Sequence, residues 1–267
     1  MTRRRAALEL ALAYTLILIV IWTPNPWQRI CYIAAVIALA AILIFSFQSA
    51  RALGLQLTNL ARSLWIVVLA LVLAAALILI AAHEHTLHNT SHFIARYWGY
   101  ALWAFVQQIL LQDIFLRRLL ILIPSKPHIA ALAAAVLFAS AHLPNPILTP
   151  ITLLWGFLSC LLFLHYRNII PLAITHAALG ITLAITIPPP LIHNMRVGLG
   201  YLRFHPHHHY RRGPQRVPLA GVVTAATSTT PYPPTYASPP THPLVSPDAT
   251  PSRRTHPQSL PAPHTSS

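Results

Sequence analysis

Leu64–Ala82 reads LWIVVLALVLAAALILIAA, nineteen residues without a charge. As a helix rising 1.5 Å per residue it would extend about 28 Å, close to the thickness of a bilayer's hydrocarbon core. The run is continuous and Ala/Leu-rich, with none of the alternation a barrel strand needs. Working outward, six more apolar runs follow the same pattern: Ala6–Trp22, Cys31–Phe47, Trp98–Ile123, Ile129–Leu143, Ile147–Leu164 and Ile169–Ile187. The expected fold is all-α, a polytopic transmembrane helix bundle of about seven to eight spans.

Composition agrees. Of 267 residues, 55% are hydrophobic and only 8% charged, with a mean hydropathy of +0.59. So little charge cannot coat a soluble globule, which excludes a soluble enzyme and a secreted disulfide scaffold. Cys31 and Cys160 lie inside apolar runs and imply neither a disulfide framework nor a zinc knuckle. The formal charge is +14, yet no basic folded domain is present. The expected partner is therefore the lipid bilayer, with no nucleic acid. Only four carboxylates exist, Glu9, Glu84, Asp113 and Asp248, so any buried acid must come from that set.

Arg3–Arg5 precede the first run, no small-residue cleavage site follows it, and Thr23-Pro24-Asn25-Pro26 reads as a turn. The run is expected to be an uncleaved span with the N-terminus cytoplasmic, in an integral protein of the bacterial inner (plasma) membrane. Arg51, Arg62, Arg118, Lys126 and Arg167 fall on the same side. Seven spans would then put the Arg-rich segment after residue 195 outside, against the positive-inside tendency. Either an eighth element lies in Pro188–Phe204 or one run does not cross. The fifth run is short, about 22 Å as a helix, and Pro144 stops it. Pro144-Asn145-Pro146 then falls at membrane depth, where irregular backbone must be buried in protein or line a wet cavity. A cavity near His142 is expected. From residue 205 the chain turns basic and then Pro/Ser/Thr-rich, and Gly213–Ser267 holds more than half of the 25 prolines. This C-terminal tail is expected to be disordered and dispensable for folding. Its Pro233-Pro234-Thr235-Tyr236 matches a WW-ligand pattern by chance composition, and His207-His208-His209 offers only adventitious metal binding.

An ionisable group in a span costs about 2.5–3.5 kcal/mol or more, which makes it a functional candidate. Three places qualify: Gln107-Gln108-Ile-Leu-Leu-Gln112-Asp113-Ile-Phe115-Leu-Arg117-Arg118, Phe138-Ala-Ser140-Ala-His142-Leu-Pro144 and Thr175-His176-Ala-Ala-Leu-Gly180. On a helix Gln108 and Gln112 share a face, as do Asp113 and Arg117. The plain alternative for Asp113 is a neutralising ion pair with Arg117. A lone intramembrane histidine is more often a packing residue than a catalyst. A second cluster, His83-Glu84-His85-x-x-His88-x-x-x-His92, offers His88 and His92 to a metal if helical, but reads first as an interfacial loop.

The ordered set Gln112-Asp113-x-x-x-Arg117, Phe138-x-x-x-His142 and His176-x-x-x-Gly180 resembles the three motifs of the CPBP family, which comprises intramembrane CAAX proteases and Abi (bacteriocin-processing) proteins. The family pattern is Glu-Glu-x-x-x-Arg, Phe-x-x-x-His and His-x-x-x-Asn, each on a membrane helix. The resemblance implies an intramembrane endopeptidase that activates water to hydrolyse a peptide bond of a membrane-associated peptide or protein substrate. It divides the chain into N-terminal helices and loops (1–97), a protease-like core (98–204) and the tail (205–267). By position, Gln112 replaces the activating glutamate and Asp113 the second one. Arg117 is the motif arginine, His142 the water-activating histidine, His176 the oxyanion-stabilising histidine, and Gly180 stands where asparagine is expected. Glutamine cannot accept a proton as a general base, and glycine offers no side-chain donor. Asp113 is then the carboxylate expected to act in a hydrolase. If position 112 is still the activating one, Gln112→Glu would be expected to raise activity; if Asp113 has taken over, Gln112→Glu would do little or harm. Asp113, His142 and His176 together would make a two-His-one-carboxylate metal site. The cofactor thus stands open between a divalent metal such as zinc and none. Two other functions remain: a catalytically inactive relative acting as a binding or immunity protein, and a channel or carrier lined by Gln107, Gln108, Gln112, Asp113 and Arg117.

Overall fold

The computed structural model describes residues 1–47, 49–55, 59–88 and 91–204. The tail at 205–267, with its histidine triplet and Pro-Pro-Thr-Tyr segment, lies outside the described residues. Among the described residues there is no strand. The helices are α1 (Arg3–Trp22), α2 (Trp27–Phe45), α3 (Leu60–His83), α4 (Phe93–Ile109), α5 (Arg117–Leu122), α6 (Pro127–Ser140), α7 (Leu148–Tyr166) and α8 (Ile170–Thr186), followed by the short α9 (Pro189–Ile192) and α10 (Gly198–Leu202). Four of them, α1, α2, α3 and α7, are long and apolar enough to cross a bilayer, and α6 and α8 are shorter apolar helices. The chain is an integral membrane protein.

Local chemistry sets the helix ends. Thr2 caps α1 by accepting the Arg5 N–H at 3.3 Å. Proline opens α6, where its missing N–H has no partner to lose. Between α4 and α5 the backbone stays helical but widens into a π segment, Leu110–Leu116, all of whose residues are buried. Such widened turns recur at functional sites. This one carries Gln112 and Asp113.

The outer rows of α1–α3 stay open: Leu8, Leu12, Ile37, Val68, Leu69 and Leu79 are all exposed. In lipid these carry no hydrophobic penalty. Inside, small residues bring helices together. Ala131, Ala134 and Ala135 on α6 are fully buried, and Gly156 of α7 faces Ala135 and Phe138. A Cβ at Gly156 would sit 3.3 Å from the Ala135 Cα. Without water to squeeze apolar faces together, this close approach supplies the packing attraction. Gly156→Leu should therefore overpack the α6–α7 contact. We expect a loss of about 1–3 kcal/mol, read as a lower melting temperature in detergent.

The region 188–204 holds no eighth span. Its helices, α9 and α10, have four and five residues, far below the roughly 20 a crossing needs. It folds back on the turn after α6 instead. The Gly198 N–H donates to the Leu143 carbonyl at 2.7 Å. Asn145, fully buried, donates to the carbonyls of Ile192 (3.0 Å) and Arg196 (3.2 Å). Its Oδ1 accepts the N–H groups of Ile147 and Leu148 that open α7. Asn145 thus anchors the irregular Pro144-Asn145-Pro146 turn from a buried position, with Pro144 half-buried and Pro146 exposed.

Candidate active site

α8 packs against both α3 and α4, and this places His176 against the polar face of α4. A directed chain of hydrogen bonds fixes that histidine. Ser159 gives its hydroxyl proton to the Gly156 carbonyl at 3.1 Å, so its oxygen accepts from Gln112 Nε2 at 3.3 Å. Gln112 Nε2 also donates to Gln108 Oε1 at 3.1 Å. This turns Gln108 Nε2 toward His176 Nδ1, 3.2 Å away. An amide NH2 only donates, so His176 Nδ1 accepts and the neutral ring carries its proton on Nε2. The amide orientation follows from the network around it.

His142 has the opposite tautomer. It sits in the turn just past α6, not on the helix as the motif pattern led one to expect. Its Nδ1 is 2.8 Å from the Phe138 carbonyl, which can only accept. Nδ1 therefore carries the proton and Nε2 presents a lone pair. Both imidazoles pack edge-on against the Phe138 ring, with centroids 4.9 and 5.9 Å away. A cavity of about 90 Å³ opens between them, lined also by Tyr100, Gln107, Thr152 and Trp155. The cavity expected near His142 is present. It borders a larger apolar chamber of about 330 Å³ between α1, α2 and α4, and Gln107 and His142 line both.

Asp113 does not join the histidines. Arg117 Nη1 donates to Asp113 Oδ1 at 2.7 Å, the pairing its spacing suggested. Arg118 Nη1 donates to Oδ2 at 3.0 Å and also to the Asp113 backbone carbonyl. The π turn explains this double capture, since i→i+5 winding brings positions four and five onward to one face. Arg118 is fully buried and reaches on to Glu9 Oε2 of α1 at 3.0 Å and to Ser46 at 2.6 Å. Glu9 also holds Arg5 at 2.7 Å. Arg118 is the residue that reading the sequence missed. The signal for it was an acid, Glu9, inside an apolar span and in need of a cation.

The residues do not fit the expected metal site. Both Asp113 oxygens face arginines, which also repel a cation. His176 has Nδ1 committed to Gln108 and a proton on Nε2, which leaves it no free lone pair for a cation. Among the described residues no group of three His, Cys, Asp or Glu comes together. His88 and His92 are likewise not on one helix. His88 lies in irregular backbone with its N–H on the Ile185 carbonyl, and His92 precedes α4 in a left-handed conformation. Nor do the polar residues of the fourth run line one pathway: Gln108 and Gln112 are buried on each other, and Asp113 on the arginines.

Gly180 lies one helical turn beyond His176. A Cβ there would run into the Tyr100 phenol, 2.7 Å from Cζ and 2.8 Å from Cε1 as well as against the hydroxyl. The side-chain space at Gly180 belongs to Tyr100, a contact no motif announces.

No curated protein and no solved structure matches the chain. Residues 94–182 match the family model described as type II CAAX prenyl endopeptidase Rce1-like. That stretch contains every motif position from Gln112 to Gly180, so the CPBP resemblance read from the three motifs is shared by a family model that spans them, that of CAAX-type intramembrane proteases.

Proposed function

We propose that this chain is a CAAX-type intramembrane endopeptidase working without a catalytic carboxylate, its N-terminus cytoplasmic. The observation that carries this reading is the pair of opposed histidine tautomers around one cavity. His142 Nε2, with its lone pair, takes a proton from water as the hydroxyl attacks the scissile carbonyl carbon. His176 Nε2–H donates to the oxygen on which negative charge develops. When the C–N bond breaks, the imidazolium of His142 returns its proton to the leaving amine. Gln108 and Gln112 position His176, and the Asp113–Arg117–Arg118 ion group fixes the helix that carries them. The apolar chamber meeting the cavity at His142 suits a substrate with a lipid chain beside the cleaved bond, such as a prenylated C-terminal peptide.

The test is incubation of purified full-length protein in lipid nanodiscs with a farnesylated CAAX-type peptide and its unprenylated twin. Release of a C-terminal fragment, faster from the farnesylated peptide, is the expected result. Cleavage of neither peptide would overturn the reading. Binding of the farnesylated peptide without cleavage would favour the inactive binding relative, for which the missing carboxylate at position 112 and missing amide at position 180 speak.

Gln112 points toward Ser159 and Gln108 rather than into the cavity. Gln112→Glu would set a carboxylate against Gln108 Oε1 and force that amide to turn over. Gln108 would then offer oxygen to His176 Nδ1 and draw the ring proton there. We expect this variant to lose activity about 10²-fold, as when one oxyanion donor is removed. A gain would show that position 112 reaches the water.

A further inference from the structure

We infer that the Tyr100 hydroxyl is a second oxyanion donor, a catalytic residue supplied by α4 to the place that Gly180 leaves bare on α8. The inference rests on the hydrolytic reading above. Gly180 follows His176 by four residues, so the two lie on one face of α8, about 6 Å apart along its axis. A side chain at Gly180 would have to occupy the volume that the Tyr100 ring and hydroxyl fill. The phenol thus stands at the position one helical turn beyond His176, and Tyr100, His142, His176 and Gly180 all line the same cavity.

Chemistry favours the assignment. A phenol is a neutral O–H donor that keeps its proton at physiological pH. Donors held in place in a water-poor site act without reorganising as charge develops. The indole of Trp155 supports the polarity of this wall: it lines the same cavity, and its buried Nε1–H has no partner among the described residues. With His176 Nε2–H, these groups give the cavity O–H and N–H donors, while His142 brings it a lone pair.

The experiment uses full-length protein in nanodiscs and the peptide that the wild type cleaves. Tyr100→Phe keeps the ring over Gly180 and removes only the hydroxyl. We expect kcat to fall about 10²- to 10³-fold with KM within threefold and the melting temperature unchanged. Gly180→Asn alone should also fall, because its side chain meets the phenol. Tyr100→Ala with Gly180→Asn should recover at least tenfold over Gly180→Asn, since the new amide then has both space and a donor. If Tyr100→Phe cleaves within twofold of wild type, the tyrosine's role is overturned while hydrolysis stands. If the wild type cleaves no peptide, the hydrolytic reading fails and this one with it.

Discussion

Replacing His142 with alanine should lower peptide hydrolysis by about 10²–10⁴-fold, the range that a positioned general base contributes. The Nδ1 of His142 is committed to the Phe138 carbonyl, which leaves Nε2 as the ring nitrogen with the basic lone pair in a residue that lines the cavity. The only carboxylate of the neighbouring helix is held by two arginines and cannot take over without breaking both pairs. kcat should fall with little change in KM, because the ring acts on water and not on the bound peptide. His142→Gln should be as inactive as alanine, since an amide orients water but cannot remove its proton. A quarter of wild-type activity surviving in both variants would remove His142 from the mechanism.

The second large effect concerns Arg118. Its side chain is fully buried, while those of Asp113 and Glu9 are 4% and 13% exposed. Removing one member of a buried ion pair leaves a charge without compensation, at a cost of about 3–5 kcal/mol. Arg118→Leu should therefore lower the melting temperature in detergent by about 10 °C or more. Glu9→Leu should cost less, because Arg118 keeps Asp113. Activity should fall with stability in Arg118→Leu, since the π segment that carries Gln112 loses its anchor to α1. Unchanged melting of Arg118→Leu would mean the cluster contributes no net stabilisation.

How far the sequence could be read depends on whether a feature is local. Each of the seven apolar runs lies largely within a helix, because continuous hydrophobicity of bilayer length has few other solutions. The shared face of Gln108 and Gln112 and the Asp113–Arg117 pair also follow from helical spacing alone. What failed needed geometry beyond a regular helix or contacts between distant segments. The reach of Arg118 to Asp113 requires the π turn, which no residue pattern announces. The proton position on His176 depends on Ser159, on another helix and forty-seven residues from the glutamine it meets. Tyr100 and Gly180 touch only because α4 and α8 pack together. The metal site read from Asp113, His142 and His176 fails on the same ground: both Asp113 oxygens are held by arginines, one of them brought there only by the π turn.

The double hold on Glu9 has a consequence for biogenesis. The first span emerges from the ribosome long before Arg118, which lies 109 residues further along the chain. An acid entering the bilayer alone would cost about 2.5–3.5 kcal/mol. Glu9 never enters alone, because Arg5 sits one turn away on the same helix and pairs with it at 2.7 Å. The nascent helix thus carries its own counter-ion across the insertion step. Only when the later helices arrive does Arg118 dock on the same carboxylate, so assembly of the bundle completes a charge pair that translation began.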